Sequence, residues 1–372
     1  MKRFLLIPLL IVLLSMFIIG GCAAPAPAPA PAPTPTPKPA PAPPKAPVKP
    51  VVIKWHSHQP PTTPINSKTM APYLDELEKR SGGRLKIERY WGGVLGKRAD
   101  VFINVTTGVV DLAWIPIGYI PGRFNLTRAC TLSMFPMTTY EEKVVFQEFA
   151  DTSGFLAADY LDVEAMRVWL QPMPALLSKK EIRKPEEIKG TKVWTSGGLG
   201  IKALQKYGAT PANIPAMEIY LSVETGLLEG VLGSWPAHTA VRSIEVLPYG
   251  ISALPSPRAA LVLAMSKRAW NLMDEELRQI VKDVNGKFMS DLQVAFYEKE
   301  DARAEEEYVN KWGGKLYKLS PEEWDAWAET VASLAGESLA AQEAKGFLVS
   351  KVYKGWVAYL NAWRQLQKES KK

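Results

Sequence analysis

His56 and His58 lie two residues apart at the end of an alternating run, VVIKWHSH, where a strand would set both on one face. Imidazoles so placed can hydrogen-bond a ligand or, with a third donor, hold a metal ion. No cysteine or carboxylate cluster accompanies them, and the only other histidine, His238, falls far along the chain. Ligand binding is therefore the expectation, with no metal and no cofactor. Other candidates close further extended runs: Trp114 and then Tyr119, Trp169 in AMRVWL, Trp194 at the end of 191–194, and Ser234-Trp235 after 230–234. An indole offers a flat apolar face and one N–H donor, which suits the wall of a pocket. Such a set favours a ligand with an aromatic or broad apolar body, or a cation held by ring faces.

Chemistry on a substrate has little support. The chain has no GxSxG elbow, HExxH, P-loop, or GxGxxG between a strand and a helix. Glu186-Glu187 and Glu322-Glu323 stand at helix starts, where capping accounts for them. Thr195-Ser196-Gly197-Gly198 opens a helix and could hold an anion by its N–H groups, although such turns are common. The expectation is a binding protein and no enzyme. A secreted surface lipoprotein with a hydrolase or structural role is the alternative, and a structural one would lack a closing cleft.

The elements that must position these residues read as α/β. Strand 51–58, helix 68–79 and strand 84–90 form one βαβ unit, and helix 98–107 with strand 109–114 continues it. Strand 191–194, helix 199–207, the extended piece 212–214, helix 218–228 and strand 230–234 form another. Open α/β sheets bind ligands beyond the carboxyl ends of their strands.

Ahead of this body, Lys2 and Arg3 precede a long uncharged apolar run, and Ile19-Gly20-Gly21-Cys22 fits a lipobox. Residues 1–22 are thus expected to be a lipoprotein signal, with Cys22 lipidated and holding the protein to a membrane outside the cytoplasm. Residues 23–50 repeat Pro and Ala, an extended spacer of about 3.1 Å per residue. The remaining length exceeds what one core comfortably fills, so two domains are expected. A net charge of +7 is diffuse and partly terminal, which argues against a nucleic-acid partner. The chain has 2 cysteines, and with Cys22 lipidated Cys130 has no disulfide partner.

The order KPEEIKGTKVW, YGATP, EIYLSVETGLLEG, preceded by SGGRLKIERYWGGVLGKRADVFINVTTGVVDLAW, resembles the extracytoplasmic solute-binding proteins of TRAP (tripartite ATP-independent periplasmic) transporters. The similarity covers most of the chain from about Val51 to Leu319. It implies a two-lobed periplasmic-binding-protein fold that closes on a small molecule and delivers it to TRAP membrane subunits. Lobe one would take 51–168 and 237–266, and lobe two 169–236. A long helix over 267–312 would brace both lobes, and a helical region over 313–372, rich in Trp324, Trp327, Trp356 and Trp363, would pack on them and on the brace. In that family an arginine on the lobe-two strand pairs with a substrate carboxylate, and Trp194 occupies its place here. A guanidinium supplies charge and direction that indole cannot. The resemblance therefore implies a pocket low in charge, or a basic group moved elsewhere, with Arg123, Arg128 and Arg167 as candidates.

Overall fold

The computed structural model describes residues 49–212 and 214–370. The leader 1–22, Cys22 and nearly all of the spacer lie outside the described residues.

The described strands, in chain order, are β1 (Val51–His56), β2 (Leu85–Tyr90), β3 (Leu112–Pro116), β4 (Val163–Leu170), β5 (Ala175–Ser178), β6 (Lys192–Thr195), β7 (Thr210–Ala212), β8 (Gly230–Gly233), β9 (Tyr249–Ile251), β10 (Ala260–Ser266) and β11 (Lys315–Tyr317). They form two sheets, one ordered β2-β1-β3-β10-β4 and the other β11-β9-β5-β8-β6-β7. β1 runs parallel to β2 and β3, and β6 parallel to β7 and β8, as βαβ units require. β10 enters the first sheet antiparallel, and β5 enters the second the same way. These are the two strands that arrive by crossing between lobes.

Alternation along each strand explains the two-sided cores. Ala113 and Ile115 of β3 face one apolar cluster with Val262 and Ala264, while Leu112 and Trp114 face another with Trp55 and Leu263. In the second sheet Val193 and Leu232 face Trp327, whereas Trp194 and Val231 face Trp235 and Tyr308. Near-continuous apolar runs such as ALVLAMS are what a strand covered on both faces needs.

Three expectations about boundaries are corrected. The return to the first lobe begins only at β10, because β9 pairs with β5 and β11 in the second sheet. The long helix does not start at 267. Ser266 caps a short helix, Lys267–Leu272; Met273 is extended, and Asp274 caps a new start by accepting from the Leu277 N–H at 2.9 Å. From Glu275 the chain stays helical to Lys311 with a break at Gly286 (φ −69°, ψ −110°), a span of about 55 Å at about 1.5 Å per residue. Its Phe296 and Tyr297 pack in the first lobe, and its Ala304 and Tyr308 in the second. The C-terminal helices pack on the lobes and not on that brace: Trp327 of Pro321–Glu343 enters the second-lobe core, and Trp356 of Val349–Ser370 the first.

His238 lies wholly inside the second lobe. Its Nε2–H donates to the Ala175 carbonyl at 3.0 Å, which leaves Nδ1 to accept from Ser243 Oγ at 2.8 Å. Burial pulls its pKa down to about 4. Folded His238 thus binds its proton less readily than unfolded His238, so its contribution to stability is whole above about 6.5 and is lost as pH falls towards 4. Urea unfolding from pH 7 to pH 4.5 is expected to show a falling midpoint that His238→Gln flattens; equal pH slopes in both proteins would contradict it.

Candidate functional site

A cleft of about 960 Å³ opens between the lobes at the carboxyl ends of β1, β3, β6 and β8. Five of the eight expected residues line it: His58, Trp114, Tyr119, Trp194 and Ser234. His56, Trp169 and Trp235 do not, each for a local reason. β1 ends at His56, so His56 and His58 are not strand neighbours on one face, and His56 is fully buried behind the wall. Trp169 faces the core of the first lobe, where its Nε1–H donates to Tyr297 Oη at 3.2 Å. Ser234 caps the helix Trp235–Ala240, whose first turn swings Trp235 inward against Tyr308 and His238.

Both wall indoles use their N–H groups away from the cleft. Trp114 Nε1 donates to Asn66 Oδ1 at 3.1 Å, and Trp194 Nε1 to the Ile214 carbonyl at 3.0 Å. Each presents ring surface only. Thr195-Ser196-Gly197-Gly198 lines the same wall, together with Ile214, Met217 and Leu232. Gly198 has φ +62°, and a Cβ there would stand 3.7 Å from the Gly118 Cα and 3.4 Å from Arg128 Nη1. Those are ordinary contacts, so the left-handed φ, and not a want of room between the lobes, is what favours glycine at this rim.

Of the two expectations, a pocket low in charge or a basic group moved elsewhere, the lining fits the second. No Asp or Glu is among the described lining residues, whereas Lys97, Arg98, Arg128 and Arg258 are. Arg258 is buried and engaged, pairing with Glu142 and donating to the carbonyls of Phe135 at 2.7 Å and Ser133 at 3.2 Å. Arg98 and Arg128 have no carboxylate partner among the described residues. Arg98 lies over the Tyr119 ring at 4.5 Å, and its Nη1 donates to Tyr119 Oη at 2.6 Å. Arg128 donates to the carbonyls of Arg123 at 3.0 Å and Ile120 at 2.7 Å, while its Nη1 points at the Gly198 turn of the other lobe. Of the three relocation candidates, Arg128 alone reaches the cleft. Arg123 pairs with Asp162 at the surface, and Arg167 is buried against Gln293, Asn285 and Lys143.

Arg98 escaped the sequence reading because nothing local marks it. It sits on a three-residue turn, Arg98–Asp100, ahead of a helix, and only the folding of β3 brings Tyr119 over it. Ser256 and Arg258, in the segment that crosses from β9 to β10, escaped for the same reason. Every cation in the cleft comes from the first lobe or that crossing segment, while the second lobe contributes an uncharged wall. Such a surface attracts an anion and opposes a cationic ligand. His238, with both ring nitrogens engaged, is not available as a third metal donor.

Two lobes, each with its own sheet, around a deep cleft define a solute-binding protein. Residues 56–342 match the DctP family, bacterial extracellular solute-binding protein, family 7, and the chain belongs to that family. A solute-binding protein of Albidiferax ferrireducens is 24% identical over 73% of this chain and 80% of its own length. Among solved structures, a marine-metagenome TRAP solute-binding protein specific for aromatic acid ligands, in complex with metahydroxyphenylacetate, superposes with a TM-score of 0.78 at 21% identity, covering 84% of this chain and 99% of that one. A TRAP solute-binding protein of Rhodoferax ferrireducens in complex with copurified benzoate gives 0.77 at 21% identity over 85% and 99%. The fold and family expected from the sequence are thereby established, and the family places the protein outside the cytoplasm.

Proposed function

We propose that the protein captures an organic acid with an aromatic body in this cleft and delivers it to the membrane subunits of a TRAP-type secondary transporter, without chemical change. The observation that carries this reading is the distribution of charge: among the described residues the cleft has no carboxylate, Arg98 and Arg128 have no acid partner on one side, and the other side is an uncharged wall of indole, Ile214 and Met217. The carboxylate meets Arg98 and the ring lies between Trp114 and Trp194. His58, Tyr119 and Ser234 complete the contacts. The likeness to proteins crystallised with metahydroxyphenylacetate and benzoate supports the same ligand class.

Closure follows from differential affinity: a ligand touching both lobes stabilises the closed form over the open one. A thermal-shift panel tests the ligand class. Aromatic monocarboxylates are expected to raise the melting temperature, and their neutral amides to do so far less. Stabilisation by four-carbon dicarboxylates alone, or by acid and amide alike, would overturn the reading.

Anchoring through Cys22 belongs to the same proposal and is carried by the lipobox and the Pro-Ala spacer. Cys22→Ser is expected to shift the mature protein from the membrane fraction to the soluble one. Retention of the variant in the membrane fraction would remove the anchor from the account.

A further inference from the structure

The cleft has more room than one aromatic ring requires, and not because the lobes stand wide apart. A Cβ on Gly118 of the first lobe would stand 3.7 Å from the Ser196 carbonyl oxygen of the second, and one on Gly197 would stand 3.8 Å from the Gly118 carbonyl oxygen. The lobes are therefore within a methyl group of touching at that rim. Between them the cleft still holds about 960 Å³, at the upper end of the roughly 300–1,000 Å³ of pockets that enclose drug-sized ligands. A single ring with one carboxylate fills a small part of it.

Beyond Trp194 the second-lobe wall continues, and it stays apolar. Ile214 and Val241 pack on the core cluster that holds Trp194, so the indole and the surface beyond it are continuous. The two segments that carry this surface are tied together where the Arg242 guanidinium lies 4.5 Å over the Tyr220 ring. Towards the cleft the first segment supplies Ile214 and Met217, and the second supplies Ala240 and Val241. Ala237 and Ala240 lie one turn apart on the helix Trp235–Ala240, and with only methyl groups they set that part of the wall back. Met217 at its edge is 83% exposed. An unbranched thioether of this kind adapts to whatever apolar shape is laid on it.

We infer that the ligand's apolar body is larger than one ring: a two-ring aromatic acid whose first ring lies at Trp194 and whose second covers Ile214, Met217, Ala240 and Val241. This rests on the cleft being an aromatic-acid site. It departs from the one-ring acids bound by the solved relatives, metahydroxyphenylacetate and benzoate. The second ring takes apolar surface of both partners out of water, and affinity rises with the area covered.

Isothermal titration of benzoate against 2-naphthoate, biphenyl-4-carboxylate and indole-3-acetate tests this in the wild type, Ala240→Phe and Met217→Ser. At least one two-ring acid is expected to bind about ten- to a hundred-fold more tightly than benzoate. That ratio is expected to fall towards one in Ala240→Phe, which fills the recess, and to fall severalfold in Met217→Ser, which removes the edge of the apolar surface. Benzoate binding as tightly as every two-ring acid, or a ratio that moves in neither variant, would overturn the inference while leaving the organic-acid cleft standing. Failure of all four acids to bind would overturn both. Should Ala240→Phe not fold, the wild-type ratios and Met217→Ser, at an exposed position, still decide.

Discussion

Arg98→Gln is expected to weaken binding of the aromatic acid by about 2–4 kcal/mol, roughly thirty- to a thousand-fold in Kd. The family resemblance implies an arginine at the Trp194 position gripping the carboxylate from the second lobe, whereas Trp194 turns its only donor back to Ile214 and can offer a carboxylate nothing. Arg98 lies in the cleft without an acid partner among the described residues, steadied by the Tyr119 ring beneath it and the Tyr119 hydroxyl beside it. Glutamine keeps a planar polar group with a donor but is shorter and loses the charge and the fork, so the change removes what the guanidinium contributes. Trp194→Phe, by contrast, keeps an apolar face and is expected to alter affinity by much less. If Arg98→Gln binds the acid as the wild type does, Arg128 and not Arg98 holds the anion.

Glu142→Gln is expected to destabilise the fold by about 3–5 kcal/mol, lowering the melting temperature on the order of 10 °C. Glu142 is almost wholly buried and pairs on one oxygen with Arg258 and on the other with Lys143 at 3.1 Å. Both cations are buried too, so removing the acid strands two charges that water cannot reach. Asp301 is a poor substitute, because burial lifts its carboxyl to about 7 and leaves it partly protonated at neutral pH. The cluster also ties the two crossings together: Lys143 reaches the Leu170 carbonyl at the end of β4, while Arg258, between β9 and β10, reaches the Gln171 carbonyl at 3.3 Å. The variant is therefore expected to loosen the waist as well as the core. Amide exchange over Leu170–Pro174 and Ser252–Ala259 should quicken more than over β1. A loss below about 1 kcal/mol would show the pair to be dispensable, as some buried ion pairs are.

The sequence carried the frame of the site well, because strand ends are written in local pattern. Trp114 and Trp194 closed alternating runs, and the structure sets both on cleft walls. Glu322-Glu323 was legible as a helix start, and there Ser320 and Glu323 form a capping box. What stayed hidden depends on contacts between distant segments. β9 and β11 each span three residues and exist only because they pair with each other and β5, so no periodicity announces them. Asp274 followed by Glu275-Glu276 is a readable helix start inside the long charged stretch, passed over because the apolar spacing continues through it. The guanidiniums that reach the cleft were hardest to see. Whether an arginine meets a carboxylate or stands alone in a cleft is set by tertiary neighbours, and Arg98 and Arg258 look in sequence like any surface arginine.

The central claim is that the first lobe, through Arg98, holds the carboxylate while the second closes over the ligand's body with an uncharged wall. A crystal structure of the protein with a bound aromatic acid tests it most directly. The account predicts the carboxylate within hydrogen-bond distance of the Arg98 guanidinium and the ring between Trp114 and Trp194. A carboxylate bound by the second lobe alone, on the Thr195–Gly198 turn and away from Arg98, would contradict it.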